Sequence, residues 1–122
     1  MVSVALSGDT VDDDWGWAPR VSRVGGRTIV WLAGEQDIAT VGMLADTLAN
    51  VASVDDADLI VDLSGVTFMS TATIDELILS RNLLLGRSRN LTLRSPSKCA
   101  GRLLDLCGLA CLVEPSANVI RI

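Results

Sequence analysis

The run Leu59-Ile60-Val61-Asp62-Leu63 constrains this chain most. It is short and almost continuously apolar, with Asp55-Asp56 ahead of it and Ser64-Gly65 behind. A segment of strand length without polar alternation suits a strand covered on both faces. It predicts a central strand, and therefore a sheet with other elements packed against it.

The flanking sequence supplies those elements. Upstream, residues 21–24 and 28–33 read as two strands joined through Gly25-Gly26, a pair that tolerates the positive φ of a two-residue hairpin. Val41, Leu44, Leu48 and Val51 then recur at i, i+3, i+7 and i+10, which predicts a helix with one apolar face. Downstream, residues 64–71 read as a connection into a second helix. Its buried stripe is Ile74, Leu77, Ile78, Leu84 and Leu85, with Asp75, Glu76 and Asn82 facing solvent.

Residues 90–94 form the next expected strand, followed by a helix with Ser95 as N-cap and Pro96 at its first position. Leu103, Leu106 and Cys107 are expected along its buried side, and Gly108-Leu109 at its end. A weak last strand is placed among Val113 and Val119-Ile120. Strands alternating with helices imply right-handed crossovers. The fold class is α/β: a single domain over residues 19–122, with a mixed, mostly parallel sheet of four to five strands opened by an N-terminal hairpin. Residues 1–18 lack sustained periodicity and read as a mobile tail, in which Trp15 and Trp17 stay unassigned.

Composition narrows the function. Fifteen acidic against ten basic residues give a formal charge of -5, which repels a phosphate backbone and argues against a nucleic-acid partner. The longest apolar runs fall far short of the roughly 20 residues that span a bilayer, and the N-terminus does not resemble a signal peptide. A cytoplasmic protein is expected. With no histidine in the chain, histidine-dependent triads and histidine metal centres are excluded. Cys99, Cys107 and Cys111 lack paired metal-site spacing and read as core thiols; no cofactor and no metal are expected. Asp37, Asp62, Asp75 and Glu76 could in principle pair as acid and base, but no motif organises them, so an enzyme is not expected.

The chemistry concentrates in Phe68-Met69-Ser70-Thr71-Ala72-Thr73-Ile74-Asp75-Glu76, where three hydroxyls gather around a helix start. Free amides and the positive end of the helix dipole meet there. A hydroxyl so placed either caps the helix, the commoner role, or accepts a phosphate that alters the surface charge by about -1.5 to -2. Thr73 with Glu76 has capping-box spacing, which would leave Ser70 and Thr71 for another purpose, and Asp75 and Glu76 are expected in the first turn.

Three stretches, residues 34–40, 61–71 and 103–109, resemble in order and spacing the STAS-domain anti-sigma factor antagonists of bacteria. They are Gly-Glu-Gln-Asp-Ile-Ala-Thr, then Val-Asp-Leu-Ser-Gly-Val-Thr-Phe-Met-Ser-Thr, then Leu-Leu-Asp-Leu-Cys-Gly-Leu. The resemblance implies a partner, an anti-sigma factor of the serine/threonine protein kinase type, and release of the sigma factor it holds. It places the phospho-acceptor at Thr71, with Ser70 as a secondary candidate, and Asp37 in a nearby loop on the partner-facing surface. Asp37, Ser70, Thr71, Thr73 and Asp75 are the expected partner-binding residues. The chain departs from the pattern: it reads Ser70-Thr71-Ala72-Thr73 where the family usually reads Asp-Ser-Ser-Gly, so that only the acceptor hydroxyl survives and Ser70 stands in place of the aspartate. A constitutive or scaffold module without phospho-control, or a small-ligand or nucleotide-sensing domain, is the alternative, and a homodimer is left open.

Overall fold

The structure, a computed structural model, describes residues 19–54 and 56–113. The tail expected over residues 1–18 and the strand expected at Val119-Ile120 lie outside them. The described elements are β1 (Arg20–Val24), β2 (Arg27–Gln36), α1 (Val41–Val54), β3 (Asp58–Met69), α2 (Thr71–Leu85), β4 (Leu91–Arg94), α3 (Lys98–Leu106) and a short 3-10 turn, Ala110–Leu112. The four strands form one sheet in the order β1-β2-β3-β4. Strand β1 is antiparallel to β2, whereas β2, β3 and β4 run parallel.

Gly25 and Gly26 take φ of +58° and +81°, the mirror-image turn that closes a two-residue hairpin. Both parallel crossovers step the same way across the sheet, which puts their helices on one face. On that face Val30 and Leu32 of β2, Leu59, Val61 and Leu63 of β3 and Leu91 and Leu93 of β4 form one core. Leu44 and Leu48 of α1, Ile74, Leu77 and Leu84 of α2, and Ala100 and Leu104 of α3 complete it.

Strand β3 is central, as its apolar run predicts, but it is longer than expected and continues from Ser64 to Met69. The polar Ser64-Gly65 pair stays within the strand because register shifts between Trp31 and Ala33, and between Gly34 and Glu35, absorb the extra residues. Gly65 serves a close approach: a Cβ there would lie 3.1 Å from the Ala33 Cβ.

Asp62 is the polar interruption in that run and is buried. Its Oδ1 accepts from the Ser64 amide at 2.9 Å and the Ser64 hydroxyl at 2.6 Å, and its Oδ2 pairs with Arg94 Nε at 2.8 Å. Burial by itself pushes the Asp62 carboxyl up, but the Ser64 and Arg94 hydrogen bonds and the guanidinium charge outweigh it and hold the carboxyl below its ordinary value.

The third helix corrects the expectation at its start and along its buried side. Ser95 does not cap it but takes φ of +50°; Ser97 is the N-cap, its Oγ accepting from the Ala100 amide at 3.2 Å, and Pro96 lies ahead of the helix. Ala100 and Leu104 make the buried stripe, so Leu106, about 200° further round the helix, is exposed. Gly108, with φ of +72°, ends it as expected, and Leu109 packs on the core. Cys107 and Cys111 are exposed and Cys99 is half-buried, so none is the core thiol the sequence suggested. Val113 makes one parallel bridge to Leu93, all that is described of the expected last strand.

A candidate partner-binding site at the start of the second helix

The site is assembled where β2 and β3 end side by side, with Gln36 and Met69 as register partners. Gln36 is buried, and its carbonyl oxygen takes two hydrogen bonds, one from the Ser70 amide at 2.9 Å and one from Thr73 Oγ1 at 3.0 Å. Its own Nε2 donates to the Ala33 carbonyl at 2.8 Å. The exit of β2 and the entry to α2 are thereby tied through one backbone atom.

The next residue, Asp37, organises the loop before α1. Its Oδ1 accepts from the Ala39 amide at 3.0 Å. Thr40 Oγ1 accepts from the Asp37 amide at 3.0 Å and donates to the Asp37 carbonyl at 3.2 Å, and that carbonyl also receives the Thr40 and Val41 amides. This side-chain turn turns Ile38 outward, where it is 74% exposed.

Helix α2 opens with Ser70 at the N-cap in extended geometry, φ -98° and ψ 168°, yet its side chain makes no capping bond. The Ser70 Oγ is buried without a hydrogen-bond partner. Thr71, the first helical residue, is exposed, and so is Asp75. The capping box expected at Thr73 is absent because the N-cap is Ser70, three residues earlier, which places Thr73 inside the first turn. Asp75 and Glu76 accordingly fall in the second turn, and the first turn carries no acid. Glu76 Oε2 accepts from the Ser80 hydroxyl at 2.8 Å.

Of the five expected partner-binding residues, Thr71 and Asp75 lie on the surface and Asp37 is half-buried. Thr73 is corrected: it has no exposed surface, and its hydroxyl braces the loop from beneath. Ser70 keeps its hydroxyl oxygen buried. Sequence reasoning missed Gln36, whose brace depends on a carbonyl and so leaves no side-chain signature. It also missed Ile38 and Phe68, large apolar residues exposed at this end of the sheet; their position in polar connections was the available signal.

A loop carboxylate, exposed apolar side chains and a hydroxyl at a helix N-terminus form a surface suited to recognition by a protein, with an atom where added charge would change it. No curated protein matches the chain. Solved structures do. The unphosphorylated form of the anti-sigma factor antagonist SpoIIAA is similar at 16% identity, with a TM-score of 0.71 over 80% of this chain and 86% of that one. An anti-sigma factor antagonist from Mycobacterium paratuberculosis is similar at 24% identity, with a TM-score of 0.72 over 80% of this chain and 85% of that one. The family described as "Mlab, STAS domain" matches residues 20–114, all of the residues described here but Pro19, and the chain therefore belongs to the STAS domain family.

Proposed function

We propose that the chain is a non-enzymatic anti-sigma factor antagonist of the cytoplasm. It binds a kinase-type anti-sigma factor through the surface around Asp37, Ile38, Phe68, Thr71 and Asp75, and so frees the sigma factor held there. Phosphorylation at Thr71 ends the interaction. The observation that carries this reading is the exposure of Thr71 at the first position of α2, beside a loop pinned to it through the Gln36 carbonyl. A phosphate there gains from the helix N-terminus and puts roughly two negative charges on a surface with exposed apolar residues. The likeness to two antagonists, one of them named for its unphosphorylated form, supports the same role. Ser70 is the lesser acceptor, since its oxygen is buried.

Incubation with the cognate kinase and ATP, followed by intact-mass measurement, tests the switch. A gain of one phosphate that disappears in Thr71→Ala supports it; no gain, or a gain that survives the substitution, removes it. Ser70, standing where the resemblance places an aspartate, favours a second reading in which binding is constitutive. Thr71→Glu separates the two, because a switched antagonist loses affinity for its partner and a constitutive one whose interface lies away from Thr71 keeps it.

A further inference from the structure

All three described helices pack on one face of the sheet, and the opposite face has its own composition. Register places Arg20 and Ser22 of β1, Arg27, Ile29 and Trp31 of β2, Asp58, Ile60 and Asp62 of β3, and Thr92 and Arg94 of β4 on it. At its centre Ile29 and Ile60 are direct partners, only 5% and 3% exposed, yet neither belongs to the helix-side core. Beside them Trp31 has two contacts: its Nε1 donates to Ser22 Oγ at 3.2 Å, and the Arg94 guanidinium lies 5.0 Å from the ring centroid. Two buried isoleucines on a face without a described helix call for a cover.

We propose that this face is the docking surface for the chain's own segment 12–18, with Trp15 and Trp17 seated over Ile29 and Ile60. Pro19 and Arg20 lead into β1 at the edge of this same face, and Arg20 stands opposite Trp31. Strands lie about 4.8 Å apart, so β3 is roughly 10 Å from β1. Extended chain advances about 3.3 Å per residue, so the three to five residues between Arg20 and the tryptophans span that distance. Trp15 and Trp17 are two apart and project to the same side of an extended segment. Each indole can itself bury about 150–250 Å² on docking.

Charge agrees with this occupant. Asp12-Asp13-Asp14 precedes the tryptophans, and the face they would reach carries Arg20, Arg27 and Arg94 against Asp58 and Asp62, with Arg94 already paired to Asp62, which leaves a net positive rim around its apolar centre. Residues 114–122 also start near the sheet, beyond Val113, but they hold one acid and no aromatic residue.

Isoleucine-methyl NMR on the full chain tests the assignment. Nuclear Overhauser contacts from the indole protons of Trp15 and Trp17 to the Ile29 and Ile60 methyls are expected, unchanged across a dilution series. The shifts of those methyls should change in Trp15→Ser/Trp17→Ser by the share that the two indoles contribute, the Trp31 ring remaining beside them, while methyls of the helix-side core, such as Ile74, keep theirs. Contacts from residues 119–122 instead, contacts that fade on dilution as a second copy would give, or no contact at all would each overturn the proposal.

Discussion

The Gln36 carbonyl accepts the Thr73 hydroxyl at 3.0 Å across 37 residues of sequence, while the Ser70 amide reaches the same oxygen at 2.9 Å. One backbone atom at the end of β2 thus fixes the first turn of α2, and with it the position of Thr71.

Replacing Thr73 by valine keeps the buried shape and removes the donor. The expected loss is about 1 kcal/mol, the net value of a neutral hydrogen bond, because the carbonyl retains the Ser70 amide. Urea unfolding measures it. The same variant should be phosphorylated or bound less efficiently than its small stability loss explains, since the loop before α1 and the start of α2 are then less tightly coupled.

Arg89 is another long-range tie. It is buried, and its Nη1 donates to the Ala52 carbonyl at 2.9 Å while Nη2 and Nε donate to the Ala57 carbonyl at 2.7 and 3.3 Å. It joins the last turn of α1 to the start of β3, where the carbonyl end of the helix dipole also favours a cation. Arg89→Ala should cost about 3 kcal/mol, given that hydrogen bonds to charged groups are worth about 1.5–3 kcal/mol each. Arg89→Lys should recover only part of this, because one ammonium cannot reproduce the planar fork. Thermal unfolding of the two variants checks the order.

How far the sequence carries this architecture depends on whether a signal is local. The hairpin at Gly25-Gly26 and the α1 stripe through Leu44 and Leu48 rest on near-neighbour chemistry, and both are found. Ser64-Gly65 misleads, because whether a serine-glycine pair turns or continues a strand is settled by the register of β2 against β3. Thr73 misleads in the same way: capping-box spacing is local, whereas its hydroxyl is claimed by a carbonyl on another strand. Ser97 takes the cap expected at Ser95 because Ser95 enters the left-handed region. Thr71 was singled out by the resemblance over residues 61–71, since local spacing left the helix start open among Ser70, Thr71 and Thr73; Gln36 was not legible, because a carbonyl has no residue type.

Gly65→Ala tests the close strand approach. The added methyl would stand 3.1 Å from the Ala33 Cβ and 3.3 Å from the Leu32 carbonyl oxygen, both in the neighbouring strand and unable to turn aside. Overpacking of this kind typically costs about 1–3 kcal/mol. A lower urea midpoint is expected, partly restored by Ala33→Gly, which removes the nearer of the two contacts. Equal midpoints with and without the second substitution would place the strain elsewhere.

The Asp62 carboxyl gives the fold an acid-sensitive element. Its pKa is lower in the folded chain than its ordinary value, so the folded state binds its proton less readily than the unfolded state does. Its contribution is complete above the ordinary carboxylate range, declines as pH falls below it, and is lost once pH passes through the lowered folded value. Asp62→Asn removes the charge and its titration, leaving Arg94 with a weaker acceptor in a half-buried position. The variant should be less stable than the wild type at neutral pH, and the gap should narrow as pH falls through the acid range. Ser64→Ala removes the 2.6 Å hydroxyl donor while the amide and Arg94 remain, so its acid limb should move toward higher pH without disappearing. Urea midpoints from neutral to acid pH for the three proteins check both statements; a gap between wild type and Asp62→Asn that stays constant with pH would show that Asp62 does not titrate differently on folding.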